Sequence, residues 1–68
     1  MTTTPLKYAA TRNGWAIALV QGTYRTGGTY YEVRRVSPQY REITLHSVAD
    51  YQAARQLANR EWLADKAA

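Results

Sequence analysis

Between Asn13-Gly14 and Gln21-Gly22 runs Trp15-Ala16-Ile17-Ala18-Leu19-Val20, an unbroken apolar stretch and the only segment hydrophobic on both strand faces. That pattern predicts the central strand of a small sheet. Leu6–Arg12 alternates well enough to be a first strand, after a frayed lead-in over Thr2–Pro5. Asn13-Gly14 is a hairpin signal, because a type I′ turn needs positive φ at both central residues. With those two residues as the turn, Arg12 faces Trp15, Ala10 faces Ile17 and Tyr8 faces Leu19. Leu6, Tyr8, Ala10, Trp15, Ile17 and Leu19 then share the face that becomes the core.

The second hairpin leads through the glycine-bearing stretch Gly22–Gly28 into Thr29–Val36. A two-residue turn would set Leu19 opposite Arg34, whereas a bulge or odd-length loop sets it opposite Val33, and the glycines favour the latter. Ser37-Pro38-Gln39 turns the chain into Tyr40–His46. Pairing Val36 with Tyr40 puts Val33 opposite Ile43 and Tyr31 opposite Leu45. Ser47-Val48-Ala49-Asp50 reads as a capping box and starts a helix at about Val48. At 100° per residue, Tyr51, Ala54, Leu57, Ala58 and Trp62 form one apolar stripe, with Gln52, Gln56, Asn59 and Leu63 on the other side.

These elements predict an α+β fold: a four-stranded antiparallel β-meander packed on one face by a single C-terminal α-helix. One domain covers 1–68, with the lead-in at 1–5, the sheet at 6–46 and the helix at 47–66. Sixty-eight residues lie near the lower limit for independent folding, so the core supplies only a few kcal/mol of net stability. The chain starts at Met and ends in an Ala-rich helix tail, which predicts a complete small gene product acting by itself.

Composition narrows the chemistry. There is no cysteine and one histidine, which excludes disulfides, thiolate chemistry and a Cys-type zinc site, and suits a reducing cytoplasm. No charged n-region precedes an apolar stretch and the longest apolar run is the six-residue one, so neither a signal peptide nor a membrane span is predicted. His46 has no nucleophile or carboxylate at an informative spacing, and no helix follows Gly27-Gly28, so neither a catalytic base nor a phosphate cradle is expected. Catalytic residues, metal ligands, cofactor and small-molecule substrate are all read as none.

Charge points to a partner. Residues 1–46 hold six cations against two acids, the whole of the chain's formal +4, while residues 47–68 balance. Such a bias suits an acidic partner. The meander gathers Arg12, Arg34, Arg35 and Arg41, with Trp15 and Tyr40, at one end of the sheet, and the helix runs back toward them with Glu61 and Asp65. These acids are placed to pair with Arg35 and Arg41, while Arg34 points to the face without the helix. That open face shows Ala9, Ala16, Ala18 and Val20, rimmed by Tyr30, Glu32, Arg34, Tyr40, Glu42, Thr44 and His46. Rigid aromatic area and forked donors lose little entropy on docking. The candidate partner-binding residues are therefore Tyr30, Arg34 and Tyr40 on the face, Arg12 and Arg41 at the arginine end, and Arg25 in the second loop.

From Gly14 to Trp62 the succession of strands followed by a Ser-capped helix, Ser47-Val-Ala-Asp-Tyr-Gln-Ala-Ala-Arg, resembles the arm-type DNA-binding domains at the N-termini of phage-type tyrosine integrases. The resemblance implies a sheet presented to the major groove, with base-reading positions near Tyr30, Glu32 and Arg34. In size and build the chain also resembles small phage-encoded inhibitors such as anti-CRISPR proteins. Two functions follow as expectations. One is a non-enzymatic interaction protein that blocks or modulates a protein partner in a nucleic-acid-processing complex. The other is direct nucleic-acid binding through the arginine end and the sheet aromatics.

Overall fold

In the computed structural model the described residues are 2–10 and 14–67, with side chains described for 3–10 and 14–64. Four strands, β1 (Thr2–Ala10), β2 (Ala16–Thr23), β3 (Thr29–Val36) and β4 (Glu42–Val48), form one antiparallel sheet in sequence order, followed by the helix α1 (Tyr51–Ala67). The helix crosses one face. The apolar stripe does what its period requires: Ala54 and Ala58 are buried against Ile17, Leu19 and Val33, with Tyr31, Val48, Leu57 and Trp62 packed around them. Two alanines at the contact let the helix backbone approach the sheet closely.

Both faces of β2 are buried, as its uninterrupted apolar run demands. Ile17 and Leu19 lie under the helix, whereas Ala16, Ala18 and Val20 join Val36 in a second apolar layer on the other face. The β2–β3 register sets Leu19 opposite Val33, as the glycine-bearing loop implies.

The outer strands depart from expectation in three ways. First, β1 begins at Thr2 rather than Leu6, because the threonines pair along β2 as far as Thr23. β-Branched residues suit such a ladder. Second, β1 is shifted by one residue against β2: Ala9 faces Ile17 and Lys7 faces Leu19, with an irregularity between Pro5 and Lys7. From Lys7 to Ala10 the side chains therefore swap faces. Tyr8, expected in the core, is exposed on the open face. Lys7 stands opposite Leu19 in its place, and Ala9 replaces Ala10 opposite Ile17, beside Trp62, whose indole Nε1 donates to the Ala10 carbonyl at 3.3 Å. Of the two residues expected to make the turn, Gly14 has the positive φ it requires, 80°, while Asn13 lies outside the described residues, as does Arg12, expected opposite Trp15.

Third, Val36 pairs with Glu42 rather than Tyr40, and a further shift beyond Arg34 sets Val33 opposite His46 and Tyr31 opposite Val48. The cause is the Ser37 hydroxyl, which accepts from the Gln39 amide at 3.2 Å and the Arg41 amide at 3.1 Å and so organises a five-residue connection. Val48 replaces Leu45 as the β4 residue packed on the core, and Ile43 is half exposed. Ser47 consequently belongs to β4, and the helix is capped by Asp50 instead: its carboxylate accepts from the Ala53 amide at 3.0 Å and its carbonyl from the Ala54 amide at 3.1 Å. The capping box at Ser47 is not formed.

Candidate functional site

The sequence-selected residues fall into three places. On the open face, Tyr30 is buried rather than presented to solvent. It lies flat over Gly22, where an added Cβ would sit 2.1 Å from the Tyr30 Cζ, and it stacks on Tyr24 with ring centroids 4.6 Å apart. Gly22 is required by this contact: the missing side chain makes the bed for the ring. Tyr30 therefore has most of its ring covered by its neighbours on the sheet.

Arg34 stands beside it on the same face, between two carboxylates. Its Nη2 donates to Glu32, two residues back on β3, and its Nη1 to Glu42 across the β3–β4 pair at 3.4 Å. The hydrogen bond it donates to Glu32 is the main reason its pKa lies above the usual guanidinium value, with the bond to Glu42 and both carboxylate charges adding and desolvation opposing. Its Nε is buried and has no hydrogen-bond acceptor among the described residues. The planar fork is thus occupied by internal partners.

The end of the sheet that carries the β3–β4 turn is different. Tyr40 has φ 64° and is 84% exposed. A bulky residue with positive φ is a genuine outlier, because its Cβ crowds the following carbonyl. The turn holds it there: Tyr40 N–H donates to the Ser37 carbonyl and Ser37 N–H to the Arg41 carbonyl, both at 2.9 Å. Arg41 follows it, exposed. Gly14 lies against this turn, its absent Cβ 3.4 Å from Pro38 Cγ, and next to it Arg35 stacks over the Trp15 ring at 4.2 Å. Arg35 makes a cation–π contact with this indole, and Asp65, one of the two helix acids it was expected to meet, lies outside the described side chains.

Arg25 occupies the β2–β3 turn at the far end of the sheet, exposed and remote from Tyr40 and Arg41. Arg12 lies outside the described residues. Glu61 pairs with His46 Nε2 at 3.2 Å rather than with an arginine, which moves His46 from the open-face rim to the helix side. Asp65 lies beyond the described side chains. A small cavity of about 10 Å³ between β1, β2 and the helix, lined by Lys7, Ala9 and Trp62 among others, has room for one water and not for a metabolite. Among the described residues, no helix is long and apolar enough to cross a membrane.

The structure therefore brings Tyr40 and Arg41 together at one end, with Arg34 bonded to the adjoining Glu42, and separates them from Tyr30 and Arg25 toward the other end. The left-handed backbone of Tyr40 was missed by a reading that placed it in β4. Its signal was present in Ser37-Pro38, since serine and proline favour the first two positions of a tight turn and the residue two places on closes it. Compared with protein-family models, curated protein sequences and solved structures, the chain matches none of them.

Proposed function

We propose that the chain is a non-enzymatic interaction protein that binds a protein partner and blocks or modulates it, the partner belonging to a nucleic-acid-processing assembly of the kind that small phage-encoded inhibitors act on. The observation that carries this reading is the clamping of Arg34 by Glu32 and Glu42. A sheet that reads DNA needs free cations on its exposed face. Here the arginine of that face is neutralised twice, and Tyr30 beside it is buried.

Nucleic-acid binding is the second reading, and one observation favours it: the exposed Arg41 sits at the same end as the Trp15–Arg35 stack. Salt separates the two. Anisotropy of a labelled mixed-sequence duplex, titrated with the protein as salt is raised, should show only weak binding at physiological ionic strength. Each phosphate contact would add about 0.9 to the log–log salt slope. Tight binding with a steep slope, flattened by Arg41→Glu, would overturn the protein-partner reading.

A further inference from the structure

We infer that Tyr40 is the anchor of the docking surface, held in a left-handed conformation so that its ring projects from the end of the sheet, and that it fits an apolar pocket with an acidic rim on a protein partner. This rests on the protein-binding reading and assigns its site.

The argument begins with two turns of the same construction. In the β2–β3 turn, Gly27 N–H donates to the Tyr24 carbonyl and Tyr24 N–H to the Gly28 carbonyl; in the β3–β4 turn, Tyr40 donates to Ser37 and Ser37 to Arg41 in the same pattern. This is the hairpin connection whose fourth residue adopts the left-handed conformation. The first turn meets that demand with Gly27 at φ 93°, the second with Tyr40 at φ 64°. Glycine satisfies the geometry without steric cost, so tyrosine at the equivalent place lowers stability. The fold does not recover the loss by burying the ring, which is 84% exposed. Strain retained at an exposed aromatic residue points to work done outside the fold.

The turn is also built to present that ring. Proline fixes one backbone angle, and the Ser37 hydroxyl ties down the amides of Gln39 and Arg41. A preorganised aromatic loses little further entropy when it docks, and tyrosines of this kind dominate binding energies. Charge selects the pocket. Residues 37–41 contain Arg41 and no carboxylate, and the next residue, Glu42, has its carboxylate taken by Arg34. A partner surface that closes over this turn needs acidic groups around the pocket.

The test combines stability with binding to a defined probe, a display library of random linear peptides panned on the wild-type chain at physiological salt. Tyr40→Gly should raise the melting temperature by roughly 4–8 °C. The library should enrich peptides with an apolar centre flanked by Asp and Glu. A synthesised winner should bind Tyr40→Gly and Arg41→Glu at least about tenfold more weakly, while Tyr40→Phe and Arg25→Ala bind it as the wild type does. A Tyr40→Gly variant no more stable than wild type overturns the strain argument. Winners that bind Tyr40→Gly undiminished overturn the site and leave protein binding standing. A library that enriches nothing overturns the acidic-rimmed partner, and steep salt-dependent duplex binding in the same protein overturns the protein-binding reading beneath it.

Discussion

Tyr30 and Gly22 work as one unit. The ring lies where the glycine has no side chain, and it is buried there, at the end of the sheet nearer the β2–β3 turn. Removing the ring leaves that place open and should behave as a large-to-small core change. Tyr30→Ala is expected to lower stability by about 3 kcal/mol, a large share of what a domain of this size has. Urea denaturation followed by circular dichroism measures it, and an unchanged midpoint would show that the ring contributes nothing to the fold. Tyr40 is the opposite case, an aromatic residue that costs stability where it stands. Two tyrosines picked for the same surface role thus differ because one faces a glycine and the other ends a turn.

At the level of the elements, the helix shows how a capping motif is chosen by its neighbours. Ser47 has the spacing of a cap, yet it is paired with Glu32 as the last turn of chain has not begun. Asp50 caps instead, two residues beyond the end of β4. Asp50→Ala should therefore cost about 1 kcal/mol, whereas Ser47→Ala should stay within about 0.5 kcal/mol of wild type. Thermal melts of the two variants decide it, and a reversed order would return the cap to Ser47. The helix stripe itself was legible from the sequence, because a 3.6-residue period on an isolated helix allows only one buried side. The registers of β1 and β4 were not, since each pairs along one edge and can slip until the helix face is satisfied.

Across the whole molecule, the two sheet edges raise the question of self-association. β1 carries three protections against strand addition: Pro5, which offers no amide; the irregularity between Pro5 and Lys7; and Lys7 itself, whose amine reaches Asn59 at 3.3 Å. β4 is interrupted between Val33 and Arg34 of its partner strand and runs directly into the helix. The chain is therefore expected to be a monomer. Light scattering after size exclusion at rising concentration should give the mass of one chain, 7.7 kDa, throughout. A dimer whose melting temperature climbs with concentration would mean that an edge is open after all.

The apolar run Trp15–Val20, the turn signals at Asn13-Gly14, Gly22–Gly28 and Ser37-Pro38, and the stripe Ala54–Ala58–Trp62 were enough to determine four strands in meander order, a terminal helix and the pairing of Leu19 with Val33. Each of these follows from periodicity or from loop chemistry, which act between residues close in the chain. Contacts between distant residues decided the rest. The one-residue shift of β1 that puts Ala9 beside Trp62, whose indole reaches the Ala10 carbonyl, and the pairing of His46 with Glu61 are visible only in the folded chain. The exposed Tyr40 depends on where the β3–β4 ladder ends, at Val36 and Glu42, and so on a register that the local pattern of hydrophobic residues leaves open.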